Sequence, residues 1–333
     1  MSLFLLSTGE NSSSLFLPPR QAAPLRQVAP PRQFVQASFP SLYFTDQYQE
    51  WLFREGSRPY WSATETEEWN RLLNQERPLF LDYDIISYYG HPLSRNMGIL
   101  GRYEPDELYT FLDVLAAEYD AVNGQRKVIK AFYIIYGTVQ PRGGIGYISD
   151  AVLQRYINFA LEHDMLIFID HQIGRYDPLD SLKMMLPYLH YPNVHLALDP
   201  EWRTDKPMRE IGGVTAKEIN RAQEIMSEYL EKHSLPGNRM LVIHQFHHRM
   251  IRNREDVRTG YNRVTLIHCA DGIGSPAIKR STYAYLARAR NMPVKGFKLF
   301  YNFNIPGAGY DEPLLTPQEV NNLNPRPVLI MYQ

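Results

Sequence analysis

Eight apolar stretches, rich in β-branched and aromatic residues, recur along this 333-residue chain, and the segments between them carry helix-start signals. They occupy residues 79–88, 128–139, 165–171, 194–199, 239–245, 264–268, 294–300 and 327–332. Most are continuous rather than alternating, as expected for parallel strands that are buried on both faces. Eight strands that alternate with helices over about 250 residues predict a single α/β domain, a (β/α)8 barrel of the TIM type. An open doubly wound sheet is the alternative, but no glycine-rich turn follows the first stretch.

The intervening segments begin with recognisable caps. Pro105 opens one helix, and Asp177-Pro178 places an N-cap before a first-turn proline. Capping boxes at 64–67 and 215–218 open two more helices, Ser149 and Ser275 each precede another, and the segment 316–319 opens a last, short one. A helix at 64–75 could compensate for the helix that is missing after the eighth strand. A weaker helix is expected between 249 and 257.

Charge and cysteine content narrow the possible functions. The chain has 35 Lys and Arg against 36 Asp and Glu, a formal net charge of -1, whereas a nucleic-acid binder normally has a strong basic excess. No apolar stretch is long enough to span a bilayer. The single cysteine, Cys269, allows no internal disulfide and is interpreted as a core residue. We therefore expect neither nucleic acid as a partner nor a membrane span.

The first 43 residues differ in composition from the rest. Six prolines are interleaved there with Gln, Arg, Ser and Ala. Because proline fixes φ and removes a donor, residues 1–43 are predicted to form an extended arm, and 44–333 the barrel. Such an arm could dock on a neighbouring copy, so the sequence suggests a homo-oligomer assembled through residues 1–43.

Polar residues follow nearly every apolar stretch, and the opposite strand ends show few of them. Active sites of such barrels lie at the carboxyl ends of the strands, so these residues predict one pocket. The candidate catalytic residues are the carboxylates Asp170, Asp199, Glu201 and Asp271. The candidate substrate-binding residues are Tyr89, His91, His171, Gln172, Trp202, His244, Gln245, His268, Lys298 and Tyr301.

Glycoside hydrolysis is the first chemistry that fits this set, because it needs two carboxyl groups that flank the scissile bond. Asp199 or Glu201 on the fourth strand would face Asp271 on the sixth across the barrel. Trp202 and the tyrosines would form walls on which sugars stack. The layout resembles that of barrel glycosidases of the alpha-galactosidase kind.

Metal-assisted hydrolysis is the second chemistry, with His171, His244 and His268 as alternative ligands for zinc or another divalent cation. His244 and His268 match the fifth and sixth strands of amidohydrolase-type barrels, but the first stretch has Asp82-Tyr83-Asp84 where that pattern has His-x-His. We expect no cofactor, with a divalent metal as the alternative. The loop 271–275 could also bind phosphate at a helix start, although a tight turn is the favoured interpretation.

Several short motifs resemble those of a family of uncharacterised exported bacterial proteins. The residues that carry the resemblance are Tyr89-Gly90-His91-Pro92, the stretches 97–101 and 196–202, His244-Gln245-Phe246, Asp271-Gly272, Lys279 and Tyr283. Members are often described as lipoproteins or cell-surface proteins with glycosidase-like barrels. The resemblance covers roughly residues 80–290 and implies the barrel and an extracellular or cell-surface location. No cysteine near residue 1 could accept a lipid.

Two hypotheses of different class follow. The first is a hydrolase that acts on or binds a carbohydrate or cell-envelope polymer. The second is a non-catalytic surface protein that assembles through its arm.

Overall fold

The computed structural model describes residues 66–333 and confirms the (β/α)8 barrel. Eight parallel strands close a ring, because the first strand pairs with both the second and the last. The ring consists, in order, of β1 Tyr83–Gly90, β2 Lys127–Val139, β4 Leu166–Gln172, β5 Val194–Asp199, β7 Arg239–Gln245, β9 Val264–Ala270, β10 Lys295–Leu299 and β11 Leu329–Tyr332. Three short strands lie outside it: β3 Ile145–Tyr147, β6 Val214–Thr215 and β8 Ile251–Arg252. The predicted arm, residues 1–43, lies outside the described residues.

Helices connect most of the strands and cover the outside of the ring. They are α1 Thr66–Asn74, α2 Pro105–Asp120, α3 Asp150–Glu162, α4 Pro178–Met185, α5 Ala216–Lys232, α6 Pro276–Ala287 and α7 Pro317–Asn321. The predicted capping box at Thr215 is formed, and Thr316, where a helix start was predicted, forms another. Asp177 accepts the Leu179 N–H at 2.7 Å, as an N-cap does. None of the helices in the described part of the chain has the length and apolarity that crossing a bilayer requires.

Two local predictions were wrong. The first strand begins at Tyr83 rather than at 79, because Pro78 precedes a 3-10 turn over Leu79–Leu81. The expected helix between 249 and 257 is absent: the segment forms two 3-10 turns, His248–Met250 and Arg254–Asp256, on either side of β8. Asn253 has a φ of 53° there, a left-handed conformation that interrupts a helix.

The described barrel has two apolar layers. The larger layer lies between the strands and the outer helices, and the smaller fills the interior of the ring. Trp69 and Leu73 of α1 belong to the interior layer, and the Leu73 carbonyl lies against Gly237 in the loop that enters β7. Helix α1 therefore closes the amino-terminal end of the ring rather than completing the outer helical layer. Within the described residues, α1 covers this end of the interior, and the opposite end lies at the carboxyl ends of the strands.

Buried polar side chains also occupy the amino-terminal ends of the strands, contrary to the sequence-based expectation. Asp84 is fully buried and accepts from Arg126 Nε at 2.8 Å, with Arg326 and Asn123 as further donors. Lys295 donates to the carbonyls of the last turn of α6 and the residues that follow it. These groups secure helix ends and loops to the ring, so polarity alone does not identify the functional end.

Candidate functional site

Seven polar side chains meet inside the carboxyl-terminal half of the ring. Strand side chains alternate between the two faces of a sheet, and these residues share the inward phase. We call them the central polar cluster: Tyr89, Tyr133, Asp170, Asp199, His244, Asp271 and Lys298. All are at most 6% exposed. The cluster lies at the end of the ring where barrel enzymes have their active sites.

His244 on β7 lies at the centre of this cluster. Its Nε2 is 2.8 Å from the Tyr133 hydroxyl and 3.7 Å from Asp170 Oδ2, and its Nδ1 is 3.2 Å from Asp271 Oδ2. The Nδ1 contact is close but not aligned as a hydrogen bond, so we treat it as an attraction between charges. Burial alone would lower the pKa of His244, but the charge of Asp170 and the contact with Asp271 raise it well above its usual value. His244 therefore lies between two carboxyl groups that favour its protonated form.

Tyr89 connects the anionic and cationic sides of the cluster. Its hydroxyl donates to Asp170 Oδ2 at 2.9 Å, and the Lys298 ammonium lies 3.5 Å from its ring centroid. Burial is the main cause that raises the pKa of Tyr89, so its hydroxyl stays protonated and can donate. Within residues 66–333, Lys298 Nζ has no oxygen at hydrogen-bond distance. It therefore remains available to an anionic group.

The turn after β5 carries the carboxyl groups of Asp199 and Glu201 at the carboxyl-terminal opening of the ring, which we call the mouth. Asp199 Oδ1 caps the 3-10 turn Pro200–Trp202 by accepting the Glu201 N–H at 3.3 Å. The Gly212 N–H donates to the Glu201 carbonyl at 2.6 Å and fixes the other side of the turn. Glu201 is half-buried, and no hydrogen bond or ion pair of its carboxyl group is found in the described part of the chain. Its carboxyl group thus faces the mouth without a partner.

Burial and neighbouring charge keep both carboxyl groups of this turn protonated to unusually high pH. Burial, reinforced by the charges of Asp170 and Asp271, raises the pKa of Asp199 to about 7. Burial, reinforced by Asp199 and Asp271, raises the pKa of Glu201 to about 8. Glu201 therefore carries a proton near neutral pH at a position that solvent can reach, as a general acid requires.

Four of the predicted pocket residues that lie outside the central polar cluster form contacts with the surrounding strands and loops. His171 has the outward phase of β4 and packs against Tyr136 and Tyr147, with Nε2 3.4 Å from the Tyr147 hydroxyl. The His268 ring is also directed outward, where it contacts Gln245 at 2.8 Å and Lys295 at 3.0 Å. The Gln172 amide oxygen accepts the Val139 N–H at 2.9 Å. These four side chains, His171, Gln172, Gln245 and His268, stabilise the scaffold.

The three histidines that the sequence offered as metal ligands do not converge. His171 and His268 are directed towards different parts of the outer layer, while His244 is directed inward. Among residues 66–333, no group of three His, Cys, Asp or Glu side chains is arranged to hold a metal ion. The set His171, His244 and His268 therefore fails as a zinc site for geometric reasons.

The three remaining predicted residues lie in the segments that follow β1, β5 and β10. Trp202 is half-buried on the Glu201 turn. His91 lies in the loop after β1, where its Nδ1 accepts the Leu93 N–H at 3.1 Å. Tyr301 packs against Tyr332 in the outer layer, with ring centroids 5.4 Å apart. Only Trp202 of these three directly adjoins the carboxyl groups.

Three features of the site could not be read from the sequence. Tyr133 lies in the middle of an apolar stretch, and only the phase that it shares with Ile129 and Ile135 would have placed it inside. Cys269, which the sequence analysis placed in the core, lies beside His244, and burial raises its pKa. Asp311 lies far along the chain from the Asp271 loop that it contacts, and no local pattern links the two.

The loop that starts at Asp271 is a tight turn, as favoured, and its amide is already occupied. The Gly274 N–H donates to Asp311 Oδ1 at 2.9 Å, and Asp311 Oδ2 pairs with Lys279 at 3.1 Å. Gly274 has a φ of 142°, which only glycine adopts readily. An internal carboxylate therefore takes the place where a phosphate would bind.

Comparison with known proteins assigns no family. No family model and no curated protein matches the chain. Solved structures that match the chain include oxaloacetate acetylhydrolase with its product oxalate, at 11% identity and a TM-score of 0.43 over 80% of this chain and 79% of that chain. The GH18 chitinase ChiB of Flavobacterium johnsoniae matches at 10% identity and a TM-score of 0.40 over 75% and 87%. The 2,3-dimethylmalate lyase of the PEP mutase/isocitrate lyase superfamily matches at 10% identity and a TM-score of 0.42, over 81% of each chain. Similarities this distant assign no reaction.

Proposed function

We propose that this barrel is a hydrolase that cleaves glycosidic bonds in a carbohydrate or cell-envelope polymer. The observation that carries the proposal is the Glu201 carboxyl group, which is unpaired at the mouth and whose pKa is raised to about 8. A protonated carboxyl group beside further carboxylates is the arrangement that glycoside hydrolysis requires. Glu201 would protonate the oxygen of the leaving sugar.

Asp271 is the opposing carboxylate in this proposal. It follows β9, while Glu201 follows β5, so the two approach a bound sugar from different strands. The His244 imidazolium lies 3.2 Å from Asp271 and would hold its carboxylate in place. Asp271 would act on the sugar carbon as nucleophile, or as the base that activates water.

Three further side chains would contact the sugar or stabilise the positive charge that develops on it in the transition state. Asp170 adds a second buried carboxylate beside His244, and carboxylates stabilise an oxocarbenium-like transition state. Trp202, half-buried next to Glu201, offers an indole face on which a sugar ring can stack. Lys298 would bind an oxygen or an anionic group of the substrate.

Glu201→Gln tests the proposal directly. In the wild-type protein, kcat/KM for a cleaved glycan should fall above about pH 8, because Glu201 must hold its proton to act as the acid. Glu201→Gln should lower kcat by at least about 100-fold, because general acid catalysis typically contributes about 10²–10⁴-fold. Product release from a panel of neutral and acidic glycans is measured by mass spectrometry.

Glu162→Gln is the matched control, since Glu162 is an exposed glutamate at the end of α3, at the opposite end of the ring. It should retain full activity. Full turnover by Glu201→Gln, or a wild-type protein that cleaves no glycan of the panel, would contradict the proposal.

A further inference from the structure

A groove of about 820 Å³ lies beside the barrel mouth and has no role in the mechanism above. The loop between β5 and β6 forms one wall, and the segment around β8 forms the other. We call it the arginine groove, because four arginines line it together with His248 and Tyr285: Arg203, Arg249, Arg252 and Arg254. Its volume falls within the roughly 300–1,000 Å³ that is typical of ligand sites.

Two of the four arginines are free to bind a ligand. Arg249 and Arg252 are exposed, and neither guanidinium forms a hydrogen bond or ion pair with any of residues 66–333. Arg203 pairs with Glu218 at 2.8 Å, which holds its guanidinium at the groove wall. Arg254 is held over the Tyr285 ring at 4.5 Å. The groove thus combines two fixed and two unpaired guanidinium groups.

Acidic residues do not cancel this charge. The two carboxylates that line the groove are Glu210 and Glu255. Glu210 pairs with Lys206 at 2.9 Å, which lies outside the lining and neutralises it. Glu218 neutralises Arg203 in the same way. Within the lining, Glu255 opposes the three remaining arginines, so the groove keeps a positive excess that favours anions.

The groove wall is bonded to the turn that carries the proposed acid. The Gly212 N–H donates to the Glu201 carbonyl at 2.6 Å, and the Arg203 N–H donates to the Pro200 carbonyl at 3.1 Å. At Gly213, a Cβ would lie 2.3 Å from the Arg249 carbonyl, so the two walls approach as closely as only glycine allows. The groove wall is therefore fixed to the turn that carries Glu201, although the Glu201 side chain is not part of the lining.

Lys298 supplies an independent indication of the same charge preference. Lys298 is 4% exposed, and among the described residues its ammonium contacts the Tyr89 ring and forms no hydrogen bond or ion pair. A buried cation is costly unless it is paired. An anionic substituent on a bound sugar would satisfy it.

We propose that the arginine groove binds a polyanionic glycan, a sugar polymer with carboxylate or sulfate groups, and guides it to the mouth. This rests on the proposed glycosidase function and names the class of its substrate. Guanidinium groups bind carboxylate and sulfate oxygens bidentately, and unpaired arginines along a groove suit a repeating anion.

Binding is measured on the full-length Glu201→Gln variant, so that turnover does not interfere. The probes are galacturonic acid oligomers, their methyl esters, dextran sulfate oligomers and polyglutamate. The acid oligomers should bind at low salt and release as salt rises, and the uncharged esters should bind at least about tenfold more weakly. Adding Arg249→Ala and Arg252→Ala should weaken acid binding by about threefold to tenfold, as the loss of two exposed charge pairs implies.

Arg71→Ala with Lys232→Ala is the matched control, because it removes two exposed positive charges from the other end of the barrel. It should leave binding unchanged. Preference for galacturonate or for dextran sulfate identifies which anion the groove takes. Equal binding of acid and ester, equal binding of polyglutamate, or no binding of either glycan would overturn the inference. Cleavage of neutral glycans alone would overturn it while leaving the proposed function intact, whereas polyanion binding without cleavage by the wild type would do the reverse.

Discussion

Asp199→Asn should stabilise the folded protein at high pH and have little effect at low pH. Burial beside other carboxylates raises the pKa of Asp199 from 3.8 to about 7, so ionising it in the folded protein is costly. Asparagine has nearly the same shape and retains an oxygen that can cap the Glu201 N–H. The substitution therefore removes the charge while preserving the turn.

The magnitude and its sign follow from proton linkage. Between pH 3.8 and about 7 the folded protein holds a proton on Asp199 that the unfolded chain has released. The free energy of unfolding therefore falls as pH rises through this window, and the stabilisation is complete only below it. At about 1.4 kcal/mol per pH unit, the full loss is about 4 kcal/mol. Asp199→Asn should recover about 2–4 kcal/mol of this at pH 8, because water entry and relaxation reduce the full value.

Urea denaturation at pH 4, 6 and 8 measures this effect in the wild type and the variant. The wild-type free energy of unfolding should decline more steeply with pH than that of Asp199→Asn, with a residual decline from Glu201 in both. Asp120→Asn, an exposed change at the end of α2, should follow the wild type within about 0.5 kcal/mol. Equal pH dependence in Asp199→Asn and the wild type would refute the argument that Asp199 is ionised at a cost.

Two further predictions concern buried polar contacts. Tyr133→Phe removes the hydroxyl 2.8 Å from His244 and should destabilise the protein by about 1–3 kcal/mol in urea unfolding. The control Tyr261→Phe, at a half-buried tyrosine of the outer layer, should be neutral. Equal losses of stability in the two variants would argue against a specific contact. Lys279→Met leaves the buried Asp311 carboxylate without its partner and should lower the free energy of unfolding by about 3–5 kcal/mol. Adding Asp311→Asn should recover part of this loss. A single variant within about 1 kcal/mol of the wild type would show that the pair is not needed.

The order of strands and helices was predictable from the sequence because both signals are local. Continuous apolar stretches indicate strands covered on both sides, and caps such as that at Thr215 mark where helices begin. The segment around β8 was mispredicted because its irregular turns depend on distant partners. Asn291, for example, donates to the Arg254 and Val257 carbonyls.

The fold alone predicts that the site lies at the carboxyl ends of the strands. Which residues belong to it depends on which side chains of each strand are directed inward. His171 and Asp170 are neighbours in sequence, yet one is directed outward and the other inward. A stretch that is buried on both faces shows no alternation, so nothing in the sequence distinguishes the two. The same reason hid Tyr133. The raised pKa values of Asp199 and Glu201 depend on several strands at once, which no local pattern reports.

Because β1 pairs with β11, we expect ring closure to be a late event in folding. The Ser87 hydroxyl bonds the Ile330 carbonyl across 243 residues, while the other neighbouring strands of the ring follow one another along the chain. Bringing such distant segments together is slow, because the entropy of a long loop must be lost before any contact forms. Until β11 docks, β1 and β10 each expose an unpaired edge that can recruit another chain. The yield of native protein on refolding should therefore fall as protein concentration rises, because chains associate through the exposed edges of β1 and β10 more than through any other strands.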